Sequence, residues 1–358
     1  MEKQLRFHWS LSQAGDNFRR SKSYDMPSGI LNSEAQLTLC QQAEKSGIDS
    51  VLMAIGSGRP DPMMLSVMLG QKTEKIKFLV AVRPGLFSPS FFVQQINTLS
   101  CLVNGRVHIN LVSGRSPQEL KYYGDFLNYT QRYQRATEFL TICNAFWQGD
   151  GKVNFTGDFY QIENAKINTP FMSPDGKGPE IFVGGNSSAA ANLVSQYADC
   201  LWRFPDSPEN IKPQIEVVLN SGKEVGLLVA LITRPTQAEA EAAAQALIAR
   251  FGERSRKINQ RFNQQSDSEG FQKVFTLSQE ESPWVTPYLW TGAVPYMGAP
   301  SIALVSSYEN IAQAIMDYKS IGITQYLFLG WPDIEEMAHF SDGVAPLLSK
   351  KSDLLQNF

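Results

Sequence analysis

Several short polar patches interrupt otherwise apolar runs in this chain, and those patches hold the residues that could do chemistry. Gly184-Gly185-Asn186-Ser187-Ser188 follows an apolar run and opens a helical pattern. Two glycines allow close backbone approach, and the first N–H groups of a helix, aided by serine hydroxyls, suit a phosphate. An ordinary strand-to-helix turn with serine as N-cap fits the same residues. Asn110-Leu111-Val112-Ser113-Gly114 ends another run with an amide and a hydroxyl. A buried Asn needs partners, which the polar edge of a ring ligand or a neighbouring loop would supply. Gly330-Trp331-Pro332-Asp333 sets a large aromatic after a third run, either as the wall of a ring pocket or as a loop plug. Arg59, Arg115 and Arg203 also follow apolar runs. Each is suited to a carboxylate or phosphate, or to a surface ion pair.

These patches must be positioned by the elements that precede them. Strand-like runs occur at 5–11, 50–55, 77–82, 108–113, 180–185, 200–204, 225–233 and 325–330. Helical patterns separate them, including one opened by Ser33 with Gln36 as a capping box, and others at 61–71, 89–102, 130–147, 189–197, 208–219, 308–319 and 334–348. Thr236 with Glu239 caps an alanine-rich helix reaching to about Phe251. Eight nearly continuous apolar strands joined by helices predict parallel pairing with both faces covered. Regular repetition to eight units favours a closed (β/α)8 barrel, and no GxGxxG or GxxxxGK[ST] follows the first strand to argue for an open sheet. We expect a single barrel domain over 1–358, with insertions at about 149–178 and an irregular polar stretch at about 254–300.

Composition narrows the function. The 358 residues carry a net charge of -3 with both signs interspersed, unlike the basic footprint of a nucleic-acid binder. No apolar run approaches the roughly 18 residues of a membrane span, and the N-terminus lacks an apolar secretory core, so no membrane association is expected. Cys40, Cys101, Cys143 and Cys200 lack metal spacing and read as reduced thiols of a cytoplasmic protein. His8, His108 and His339 form no metal-binding pattern.

Five stretches in order carry a resemblance: KFLVAVRPG (77–85), NGRVHINLVSGRSPQEL (104–120), QRYQRATEF (131–139), VGGNSS (183–188) and GWPDIEE (330–336). Together the chain resembles the alkanesulfonate monooxygenase branch of the luciferase-like flavin monooxygenases. That resemblance implies a luciferase-like TIM barrel in a two-component system. A partner NAD(P)H:flavin reductase supplies reduced FMN (FMNH2) as a dissociable co-substrate, and O2 oxidises a small-molecule substrate. It implies phosphate contacts from Gly185, Ser187, Ser188 and Tyr133, a ring-edge contact from Asn110, and a strained or cis peptide at Ile55-Gly56 behind the ring. It further implies a mobile insertion at 254–283 and a homodimer or homotetramer.

Departures from that branch fall in the substrate half. Arg59 stands where the alkanesulfonate enzymes carry Cys. Leu228 and Ala230 replace an Arg and a His, Trp331 replaces a Tyr, and Asp333 replaces a His. A lid-loop Arg is also missing from Val294-Pro295-Tyr296-Met297-Gly298. A sulfonate in a dry pocket needs cationic partners, so these losses point away from short alkanesulfonates. Trp331, Arg59 and Arg203 become the expected substrate-side residues. Two other readings stay open: an alkanesulfonate enzyme with relocated cations, and a flavin-binding barrel without turnover.

Overall fold

The computed structural model describes residues 3–11, 31–149, 151–173 and 177–349. Within the insertion at 149–178, residues 150 and 174–176 lie outside them. The first half runs β1 (Arg6–Ser10), α1 (Ser33–Lys45), β2 (Ser50–Met53), α2 (Pro62–Gly70), β3 (Lys77–Val82), α3 (Pro89–Leu102), β4 (Val107–Leu111), α4 (Pro117–Tyr122) and α5 (Tyr129–Gln148). A hairpin of β5 (Val153–Thr156) and β6 (Gln161–Ala165) follows. Next come β7 (Ile181–Gly184), α6 (Ser188–Tyr197), β8 (Cys200–Arg203), α7 (Pro208–Asn220), β9 (Glu224–Arg234) and α8 (Gln237–Ile248). The chain then forms α9 (Glu253–Gln264), α10 (Glu269–Leu277), β10 (Leu289–Trp290), α11 (Val294–Met297), β11 (Ala303–Ser307), α12 (Tyr308–Ser320), β12 (Ile323–Leu329) and α13 (Asp333–His339).

Strands β1, β2, β3, β4, β7, β8, β9 and β12 pair in parallel in that order, and β12 returns to β1. The expected eight-stranded closed barrel is the fold. β9 pairs with β12 and, at different positions along its length, with two further strands: Glu224–Leu227 faces β8, whereas Ala230–Arg234 takes β11 alongside in parallel.

Four details differ from the sequence expectation. Asn32, not Ser33, caps α1, its side chain accepting from the Ala35 N–H. β11 is a further strand; its short Ala-Leu-Val-Ser-Ser run ends in serines and was legible only as the lead-in to α12. The stretch 254–300 is largely helical, because α9 and α10 are amphipathic helices that lie on the barrel with few fully buried residues. The terminal helix is interrupted by a π turn at Phe340–Val344.

The barrel interior is layered. At the N-terminal ends of the strands lies a polar layer, where buried His8 contacts Ser50 Oγ at 2.7 Å and Gln325 Oε1 at 2.9 Å. Arg6 pairs with Glu180, and burial pushes both His8 and His108 down to about 4. Above it Phe182 and Trp202 stack at 5.3 Å between ring centroids. Gly226 permits this, since a Cβ there would sit 2.2 Å from the Trp202 ring. Leu52, Ala81, Leu228 and Leu327 close the layer towards the C-terminal ends. Among the described residues no helix is long and apolar enough to cross a membrane, and no His, Cys, Asp or Glu group is arranged to hold a metal.

Candidate functional site

A cavity of about 290 Å³ opens at the C-terminal ends of the barrel strands, room for a ring-sized ligand rather than a macromolecule. Its floor is the apolar layer of Leu52, Ala81, Trp202, Leu228 and Leu327, with Ile55 beside it. Asn110, at the end of β4, reaches the cavity from a 6 % exposed position. Its Oδ1 is buried without a hydrogen-bond partner among the described residues. An acceptor left dry in this way costs free energy unless a ligand donor meets it.

One end of the cavity is built by the turn after β7. Ser187 caps α6, accepting from the Ala190 N–H at 3.2 Å, and its hydroxyl lies within reach of Tyr129. Gly185 is wedged under the neighbouring helix: a Cβ there would lie 2.6 Å from Ala190 Cβ and 3.0 Å from the Tyr133 hydroxyl. Tyr129 and Tyr133 thus face the glycine turn from the start of α5, and burial raises the Tyr129 phenol above its ordinary range. The N–H groups of Ser188 and Ala189 belong to the first turn of α6, where no intrahelical acceptor exists. Neutral donors around a helix start are the chemistry of a phosphate site.

Part of the wall is cationic. Arg59, Arg83 and Arg115 line it from the loops after β2, β3 and β4. Burial, followed by the nearness of Arg59, pushes Arg115 down to about 10, and burial also lowers Arg59. Arg203 lines the cavity at the end of β8, donates to Gln214 at 2.8 Å and is pushed down to about 10 by burial.

The insertion covers this mouth. The Arg115 guanidinium lies between the rings of Phe262 and Phe271, at 4.6 and 4.7 Å. Ser266 donates to the Arg115 carbonyl at 2.9 Å, Arg132 pairs with Asp267 at 2.6 Å, and Lys273 pairs with Asp206 at 2.7 Å. Ser268, Glu269, Gly270 and Phe271 complete the roof.

Of the residues singled out from sequence, Ile55, Arg59, Asn110, Tyr133, Gly185, Ser187 and Arg203 meet around one cavity. Ser188 does not; as the first residue of α6 it is exposed outside the wall. Trp331 also stands apart. It packs against the cluster of Ala230, Ile232, Trp290 and Val305 on the outer side of β9, because β11 extends the sheet there and draws the aromatic away. Ile55–Gly56, expected as a strained or cis peptide, is not cis, and the cis peptide among the described residues is Trp331–Pro332. Asp333 is a structural residue, accepting from Trp9 Nε1 at 2.9 Å and from the Gly330 N–H at 3.1 Å. Sequence reasoning missed Arg83, Tyr129 and Glu119. Arg83 had a usable signal, since it directly follows β3 as Arg59 and Arg115 follow β2 and β4 within a few residues and Arg203 ends β8.

The geometry is that of a roofed cavity at the C-terminal mouth of a closed barrel. Residues 6–325 match the luciferase-like monooxygenase family, and the chain belongs to it. It is therefore an enzyme of the flavin-dependent monooxygenase class. Among solved structures it is similar to EDTA monooxygenase (EmoA) from Chelativorans sp. BNC1, at 15% identity and TM-score 0.74 over 98% of this chain and 95% of that one. It is likewise similar to riboflavin lyase (RcaE) with modified FMN and substrate riboflavin, at 17% identity and TM-score 0.73 over 98% and 92%. An F420-dependent secondary alcohol dehydrogenase with an F420-acetone adduct matches at 19% identity and TM-score 0.66 over 97% and 99%. At these identities the likeness is one of fold.

Proposed function

We propose that the protein is the oxygenase component of a two-component system, taking reduced FMN from a separate NAD(P)H:flavin reductase in the cytoplasm. We read its flavin-binding half as that of the alkanesulfonate branch and its substrate as an organic molecule other than a short alkanesulfonate. One observation carries the reading. The glycine turn after β7 faces two tyrosine hydroxyls at one end of the cavity, while Asn110 offers an unpartnered acceptor above an apolar floor. A phosphate fits the first feature, and a ring with a polar N–H edge fits the second.

When bound, reduced FMN supplies the electrons with which O2 is divided between substrate and water. Ser187, Tyr133 and the Gly185 backbone would hold the phosphate, and Asn110 would accept from the ring edge. Leu52, Ala81, Trp202 and Leu327 would exclude water beneath the ring, while α9 and α10 would exclude it from above. Leu228 lines the cavity with an aliphatic chain where an alkanesulfonate enzyme has Arg, which supports a different substrate.

Anaerobic titration with reduced FMN, oxidised FMN and F420 tests the cofactor. We expect reduced FMN to bind most tightly. Equal affinity for both FMN forms would favour a flavin-holding barrel without turnover, and absence of FMN binding would end the proposal. A sulfonate panel coupled to a reductase tests the substrate side; rapid sulfite release would restore the alkanesulfonate alternative.

A further inference from the structure

The cavity wall carries more arginine than one cofactor phosphate requires. Arg83 is 6 % exposed, donates through Nη2 to Glu119 at 2.8 Å, and keeps Nε and Nη1 buried without acceptors among the described residues. Glu119 is the carboxylate shared by this wall, and it is already engaged. Its other oxygen accepts from the Ser57 N–H at 2.8 Å. Arg83 and Ser57 hold it below the ordinary carboxylate range in spite of burial. Among the described residues, neither Arg59 nor Arg115 has a carboxylate within ion-pair distance.

Three guanidinium groups around one satisfied carboxylate leave an excess of positive charge; Arg83 is buried, whereas Arg59 and Arg115 retain solvent exposure. Such an arrangement is unfavourable alone and becomes favourable when an anion enters. The glycine turn with Ser187, Tyr129 and Tyr133 provides neutral donors of its own. On the flavin reading above, on which this rests, we propose that Arg59, Arg83 and Arg115 form a second anion site, which holds the carboxylate or phosphate of an anionic substrate. Arg59 is the most adaptable member, since it lines the cavity and has no ion pair among the described residues. Arg83 is braced by Glu119, and Arg115 is held between two phenyl rings. The planar guanidinium suits a two-oxygen group in either chemistry.

Calorimetry on the full chain with saturating oxidised FMN tests this with octanoate, octyl phosphate and octanamide. We expect at least one anion to bind ten or more times tighter than octanamide, and the tighter of the two identifies the oxyanion. Arg59→Gln keeps the Arg83–Glu119 pair, and so the fold; it should shrink that preference to under threefold with FMN affinity within twofold. Arg59→Lys should restore most of it. Three results would overturn the inference: anions no tighter than octanamide, a preference unchanged in Arg59→Gln, or anions that compete with FMN one for one. If FMN fails to bind while the anions still exceed octanamide, the flavin reading falls and the anion site stands.

Discussion

Ser187 performs two tasks that substitution can separate. Its hydroxyl caps α6 by accepting from the Ala190 N–H, and it borders the proposed phosphate position. Ser187→Ala removes both. Loss of a cap costs about 1 kcal/mol. A chain of this length has an unfolding entropy near 0.75 kcal/mol/K, so the melting temperature should fall by only about 1 °C. Loss of one hydrogen bond to a charged phosphate costs about 1.5–3 kcal/mol, or roughly 10- to 150-fold in Kd for reduced FMN. Ser187→Asp keeps a good cap, so its melting temperature should match wild type, yet its carboxylate would repel the phosphate and weaken binding further still. Ser188→Ala, on the exposed side of the same helix start, should leave both quantities unchanged. The assay is anaerobic fluorescence titration paired with thermal melts. Wild-type FMN affinity in a folded Ser187→Asp protein would refute the phosphate assignment, whatever the alanine variant did.

Further outcomes follow from the same geometry. Tyr133→Phe removes a hydroxyl facing Gly185 and should weaken reduced FMN about tenfold with an unchanged melt; equal affinity would take Tyr133 out of the site. Gly226→Ala should destabilise by about 1–3 kcal/mol in a urea titration, because its Cβ would lie 2.2 Å from a ring of buried Trp202; a neutral result would mean the stacked layer yields. Asp267→Asn and Lys273→Met together should hasten proteolytic cutting within 253–277, and FMN should slow it in wild type; identical cutting in all states would argue against a gating roof. His8 and His108 stay neutral inside the barrel to about 4, whereas an unfolded histidine takes up its proton near 6.5. The unfolded state therefore binds more protons between those values, and stability falls as pH drops through that window, by up to about 3 kcal/mol per histidine. His108→Gln should flatten the slope by about one proton in urea titrations from pH 7 to 4.5; an unchanged slope would place the acid sensitivity elsewhere.

The barrel was legible because parallel strands buried on both faces print as unbroken apolar runs; β3 and α3 match their expected bounds. The glycine turn was legible too, since glycine pairs and serine caps act locally. What escaped depends on tertiary context. α9 shows few apolar residues because it covers a rim rather than filling a core, so its polar surface reads as loop. Trp331 follows its strand as a mouth residue should, yet only the pairing of β11 on β9 decides that its ring turns outward. Arg83 carries only the local sign of directly following β3; its weight comes from lying with Arg59 and Arg115 across three loops.

The double pairing of β9 bears on how the chain can be altered. The segment from α8 to β10 leaves the far end of β9 and returns through β11, which lies hydrogen-bonded against that same end from Ala230 to Arg234. Entry and exit are thus clamped side by side, and the barrel register beneath does not depend on what lies between. Lengthening a segment whose ends are already joined costs only logarithmically in chain entropy. The covering helices are therefore an exchangeable cassette: transplanting this segment between related barrels, cut within the α8 and β11 turns, should change which substrates enter while leaving the apolar floor intact.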